Sequence, residues 1–295
     1  MVMINTIFPV LLMALIGYGW AKANRSPVDT KWIGNFVLFL SGPSLVLSAL
    51  LNAHFIWSQF FYMFGAASFT MLLGLAVAFI YLSLLRRSAR GLVLPIAFIN
   101  SGNLGFSLCF YAFGQAGLQN AVIFHTATVM VLYSVGVILV AGWKHGWQFL
   151  KLPYVYVCAL GILLNVTHTQ LPVVLLRSVE LLGQSAIPLM LFLLGWELAG
   201  ITIRNAGVAI TAAVLRLGTG LVASLIFIHV FHLTGVTAAC ILLLSSLPSA
   251  VMSHVLTSKY DNDSELTASV IAASTLLSLV TIPLILMWVS THFIV

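Results

Sequence analysis

Two short polar runs interrupt otherwise apolar stretches of this chain. Asn100-Ser101-Gly102-Asn103 lies inside the stretch GLVLPIAFINSGNLGFSLCFYAFG (91–114), and Ser245-Ser246-Leu247-Pro248-Ser249 lies inside a second stretch of similar length. Amides, hydroxyls and glycines favour turns and local side-chain bonding over helical continuation, so each run reads as an unwound junction between two half-helices. The chemistry such a junction offers is binding. A half-helix N-terminus carries roughly half a positive charge and several unpaired N–H groups, which suit a carboxylate without a buried lysine or arginine. Asn100, Ser101 and Asn103 add donors from one run, and Ser246, Ser249 and Ser253 from the other. Gly102, Gly105 and Pro248 shape the backbone between them. The competing reading is that Asn100 and Asn103 only satisfy the broken backbone.

Ionisable residues inside apolar segments are costly and are functional candidates by default. Four stand out: His125, Glu197, Arg216 and His254. Imidazoles with an unperturbed pKa of ~6.5 can couple proton movement to substrate movement, or simply hydrogen-bond between helices. Glu197 and Arg216 are expected either to pair across the short 200–205 connection or to snorkel to the interface. Arg177 and Glu180, spaced i,i+3, read as a surface ion pair. The acids Asp261, Asp263 and Glu265 read as a solvated turn and helix start. No G-x-S-x-G elbow, H-E-x-x-H, Cys/His metal spacing or phosphate-cradling loop is present, so no enzyme, cofactor or metal site is expected. Cys109, Cys158 and Cys240 sit in apolar segments and read as packing residues.

The elements that position these groups follow from composition. Of 295 residues, 61% are hydrophobic and 6% charged, with mean hydropathy +1.13. Such a chain has too little polar surface for water, and its apolar stretches of ~20 residues are those of helical membrane spans. Ten spans are read, near 5–20, 32–51, 58–84, 91–114, 118–141, 152–168, 173–199, 206–231, 235–258 and 265–290. Nothing at the N-terminus reads as a cleaved signal, because Met1–Trp20 runs straight into the first span. Lys22, Arg25, Lys31, Arg86, Arg87, Arg90, Lys144, Lys151, Arg204 and Lys259 all fall in loops on one side, and only Arg177 falls on the other. The positive-inside rule makes the basic loops cytoplasmic and places both termini outside a cell inner (plasma) membrane. The formal charge of +6 is therefore an orientation signal and not a nucleic-acid surface.

An internal repeat links the two runs. Gly17 and Gly161, Pro43 and Pro188, and Asn100 and Pro248 are separated by 144, 145 and 148 residues. Five spans per half is odd, so the second half enters inverted, about a pseudo-twofold axis in the membrane plane. The expected fold is an all-α membrane protein of two inverted five-helix repeats, 1–141 and 152–295, joined by a cytoplasmic linker, 142–151. Its fourth and ninth helices are broken and cross. Broken helices survive in lipid only where they line a cavity, and two at corresponding places point to a transport site at the midplane.

These residues resemble the auxin efflux carrier family, which includes bacterial malate and other organic-anion permeases and is related to the bile acid–sodium symporters. Pro9 with Gly17-Tyr18, Pro43-Ser44-Leu45, Leu152-Pro153 with Gly161 and Leu171-Pro172, and Pro188-Leu189 with Gly195 match its early motifs in each half. Asn100-x-Gly102-x-x-Gly105 is similar to its N-x-G-x-x-G-x-P, with Ser107 in place of the proline. The end matches from Leu247-Pro248-Ser249-Ala250 through Tyr260 and Asp263 to Ser274-Thr275-Leu276-Leu277-Ser278 and Ile282-Pro283. Glu197 departs from the pattern, where a small or weakly polar residue is expected. The resemblance implies interleaved transport and scaffold subdomains and alternating-access movement of small organic anions such as malate or auxin-like acids. A proton-linked permease for neutral or weakly charged metabolites is the alternative, and a non-transporting membrane sensor is the alternative of a different class. The expected partners are the anion and the lipid bilayer, with proton coupling and a homodimer left open. Intramembrane carboxylates are almost absent apart from Glu197, so no sodium site is evident.

Overall fold

The computed structural model describes residues 2–23, 30–52, 56–85 and 90–293. Arg25, Arg86 and Arg87 lie outside them, so the basic loops that set the expected orientation are only partly described. The regular secondary structure of the described residues is helical, apart from a single antiparallel bridge between Ile99 and Ser249. In order come α1 (Val2–Ala23), α2 (Lys31–Phe36), α3 (Gly42–Leu51), α4 (Trp57–Leu85) and α5 (Val93–Ala97). Then follow α6 (Phe106–Val131), α7 (Val137–Ala141), α8 (Pro153–Val166), α9 (Val173–Gln184) and α10 (Ala186–Gly200). The last four are α11 (Ala206–Val230), α12 (Gly235–Ser245), α13 (Met252–Lys259) and α14 (Ser264–His292). π-Helical turns join α2 to α3, lead into α6 and join α6 to α7.

Seven helical stretches are long and apolar enough to cross a membrane, or eight when the bent pair Trp143–Lys151 and Pro153–Val166 is taken as one. The expectation was ten, and the difference lies at the breaks. Helix α12 has 11 residues and α5 only 5, each too short to span ~30 Å of hydrocarbon alone. Conversely, Ser101–Ala141 is one stretch of 41 residues, which would extend ~60 Å if straight. It does not run straight, because Gly114 at φ 64°, ψ −149° turns the chain within it. Only glycine enters that region without steric cost.

The helices pack in two sets. Helices α1, α3, α8, α9 and α10 form one: α1 lies against α10, and α3 against α8 and α9. Small residues set the distances. Gly17 rests on the Phe192 carbonyl, Gly195 on the Ala14 carbonyl and Gly183 on the Leu45 backbone, and a Cβ at any of them would collide with main chain. In the second set α11 touches α4, α5, α12 and α14, while α4 and α12 also touch α6. There Gly74 is set against the Ala97 backbone. Helix α6 also reaches across to α1, α3 and α8. Lipid is as apolar as leucine, so close backbone approach of this kind is what holds membrane helices together. Side chains such as Leu15, Leu72, Leu84, Val174 and Val280 remain exposed on the outside of the bundle, as a lipid-facing surface requires.

Candidate functional site: a crossover of two broken helices

The two interrupted stretches meet. Helix α5 ends at Ala97, Phe98 is extended (φ −101°, ψ 143°), and the chain re-enters helix at Ser101. Helix α12 ends at Ser245 and resumes as α13 at Met252. Pro248 has no N–H and restricts Leu247 before it, so a continuous helix is unavailable there. Between the breaks the strands pair: the Asn100 N–H donates to the Pro248 carbonyl (2.9 Å), and the Ala250 N–H donates to the Phe98 carbonyl (3.0 Å). Ser249 locks the crossing further. Its hydroxyl donates to the Pro95 carbonyl (2.6 Å), and its N–H donates to the Ser274 hydroxyl on α14 (3.1 Å). The unwound segment therefore falls at 98–100, slightly before the expected Asn100–Asn103. Ser101–Gly105 winds instead as a π-turn. Ser107, in the proline position, bonds back to the Leu104 carbonyl (3.0 Å), and the helix continues past it to the turn at Gly114.

Arg216 organises the crossing from behind. It is wholly buried on α11 and donates through Nη1 to the carbonyls of Ile96 (3.3 Å) and Ala97 (3.1 Å) and through Nη2 to that of Ser245 (2.5 Å). One guanidinium thus caps the C-termini of both first half-helices. Each C-terminus carries roughly half a negative charge, so together they balance about one cation. Arg216 neither pairs with Glu197 nor reaches the interface. A buried guanidinium is tolerable only when hydrogen-bonded to compensating charge, and the orphan carbonyls of two broken helices supply that compensation. Gly220, one turn along α11, makes the approach feasible, because a Cβ there would strike the Ser245 carbonyl and sit 2.5 Å from Arg216 Nη2. Pairing of Arg177 with Glu180 is also absent among the described ion pairs; Glu180 accepts from Asn52 Nδ2 (3.1 Å).

With both C-termini neutralised, the starts of the two second half-helices border a cavity of about 150 Å³ through Asn100, Gly102, Val251 and Met252. Its polar side chains are Asn100, Asn103, His125, Thr128, Tyr133, Tyr154 and Glu197, with Gly102 beside them. Asn100 is 5% exposed, and its Nδ2 has no partner. His125 supports this wall: Nδ1 lies 3.0 Å from the Ser101 hydroxyl, and the ring packs edge-on against Phe106 and Tyr154 and covers Gly102. Of the anticipated ligand-binding residues, Asn100, Gly102 and Asn103 line this cavity. Ser101, Gly105, Ser246, Pro248, Ser249 and Ser253 lie behind it. Ser101 is held by His125, Ser249 by Pro95, and Gly105 is packed under Leu244 and Leu247. His254 lies in a different wall, its Nδ1 3.0 Å from the Ser264 carbonyl. Sequence reasoning missed the apolar contribution of Ala250, Val251 and Met252, which carry no polar signal.

Two further cavities lie along the same seam between the helix sets. One of about 560 Å³ is walled by α1, α3, α9 and α10 on one side and by Phe110, Tyr111, Gln115 and Leu118 on the other. The other, about 370 Å³, lies between the C-terminal end of α10 and residues Val251, His254, Glu265 and Ile271. A seam with cavities at three levels, one bounded by capped half-helices, is the architecture of a helical membrane transporter. The sequence comparison assigns the family. A family described as membrane transport protein, of the auxin efflux carrier type, matches residues 2–151 and 144–286, and the chain belongs to it. An uncharacterized transporter from Methanothermobacter thermautotrophicus is 28% identical over 95% of this chain and 96% of its own. A second, from Methanocaldococcus jannaschii, is 24% identical over 96% of this chain and 98% of its own.

Proposed function

We propose that the protein carries small organic anions by alternating access, with the carboxylate held at the crossover. The observation that carries this reading is the division of charge around the breaks. Arg216 takes up the two negative helix ends and leaves two positive ends, together about one unit of charge, toward the cavity. Asn100 and Asn103 supply side-chain donors there. In this reading the chain crosses the membrane ten times as two inverted five-helix repeats, with both termini outside the cell membrane. The set containing α1, α3, α8, α9 and α10 is the scaffold. The set containing α4, α5, α6 and α11–α14 is the moving body, and the cavities along their seam are what sliding or rocking would open in turn. Closing one end while opening the other needs no break within either set, because each is held by main-chain contacts at glycine.

Uptake into proteoliposomes tests the reading. Saturable entry of a small carboxylate that is lost in Asn100→Ala, with the variant unfolding near the wild-type temperature, is the expected result. If no carboxylate is transported across a mono- and dicarboxylate panel with imposed proton and sodium gradients, the proposal fails.

A further inference from the structure

The cavity at the crossover holds an acceptor as well as donors. Glu197, on α10, lines it opposite the broken helices, and its Oε2 is withdrawn from solvent with no hydrogen-bond partner. Asn100 Nδ2 is an unpartnered donor in the same cavity. Two buried or paired arginines are engaged elsewhere. Arg216 faces the carbonyls of Ile96, Ala97 and Ser245, and Arg204 pairs with Glu265. The other titratable groups on the cavity wall are His125, Tyr133 and Tyr154, of which His125 is bonded to Ser101.

Two helix N-termini contribute about one positive charge, and Glu197, when ionised, contributes one negative charge on the opposite wall. The site is therefore near neutral overall but polarised. A simple carboxylate satisfies one wall and leaves a buried anion facing it without a partner, which is costly. A ligand with its own opposed charges satisfies both. Resting on the carboxylate reading above, we propose that the ligand at the crossover is a zwitterionic amino carboxylate. Its carboxylate lies on the Asn100 and Asn103 side and its ammonium lies on Glu197. Apart from Thr128, the rest of the lining, including Leu38, Leu132, Met190, Leu193, Val251 and Met252, is apolar and fits an uncharged hydrocarbon side chain. Glu197 also lines the neighbouring 370 Å³ cavity, so the same carboxylate stands where an ammonium would leave the site.

A matched trio tests this on the full-length protein in detergent: leucine, 4-methylpentanoate and isopentylamine, which keep the same carbon branch and carry both charges, the anion alone or the cation alone. Binding is read by ligand-induced thermal stabilisation, which grows with the ratio of ligand concentration to Kd. Leucine is expected to bind at least about tenfold more tightly than either analogue, and Glu197→Gln to abolish that preference while unfolding near the wild-type temperature. Should Glu197→Gln not fold, Glu197→Asp takes its place and should keep the preference with weakened affinity. If 4-methylpentanoate binds as well as leucine and neither variant separates them, the amino group has no role and only the carboxylate reading survives. Binding of isopentylamine alone overturns both readings, and absence of binding by all three overturns the inference.

Discussion

The two breaks that form the crossover are built alike and used differently. At the first, Asn100 presents an unpartnered amide to the cavity, half-buried Asn103 lines it too, and Gly102 lets His125 close over the backbone. At the second, no polar side chain lines the cavity, although the Ser246 and Ser253 hydroxyls are buried without a partner. Ser249 is spent on Pro95 and Ser274, Ser245 shares a hydrogen bond with Thr70 (3.1 Å), and the cavity receives Ala250, Val251 and Met252. A pair of junctions built alike thus need not contribute equal halves of a site. One junction leaves a donor free toward the cavity and the other ties the crossing together, because a buried hydroxyl committed to a backbone carbonyl is not free to greet a ligand.

The sharpest way to break this arrangement is to remove what both junctions share. Arg216→Met leaves three carbonyls without their donor, and the unfolding free energy in detergent should fall by about 3–5 kcal/mol. Arg216→Lys should recover only part of that, since one ammonium cannot reproduce the planar fork that reaches both half-helices. The next largest effect separates the junctions. Asn100→Ala should weaken carboxylate binding by about 1.5–3 kcal/mol, ten- to a hundredfold, with little change in stability because Nδ2 has no partner to lose. Ser249→Ala should do the reverse, lowering stability by about 1–3 kcal/mol as the Pro95 carbonyl loses its donor while affinity changes little. Equal effects of both variants on affinity would erase the distinction between the junctions. Smallest is Thr70→Val, expected to cost about 0.5–1.5 kcal/mol of stability and to leave affinity unchanged.

The legibility of these features followed their range along the chain. Apolar stretches and polar interruptions are local patterns, so the helical membrane class and the existence of both breaks could be read directly. Their placement was less secure. The first break moved upstream to 98–100, because the pairing of Phe98 and Asn100 with Ala250 and Pro248 decides where the backbone extends. Counting spans met the same difficulty, since a half-helix of 5 or 11 residues has a local apolar signature but no length of its own to cross with.

What the sequence determined by itself was composition, the length of its apolar stretches and the positions where glycine, proline and clustered hydroxyls make a continuous helix unfavourable. Which polar groups remain free was decided only by the tertiary structure. Arg216 could be recognised as a costly intramembrane cation, yet its partners lie 119 and 29 residues away at Ala97 and Ser245 and are backbone carbonyls, which have no side-chain signature. Ser249 and Asn100 looked equally suited to bind an anion. They differ because the fold brings Pro95 within 2.6 Å of one hydroxyl and brings no acceptor to the other's amide nitrogen. A hydrogen-bonding group declares its type in the sequence, but its availability is a property of everything packed around it.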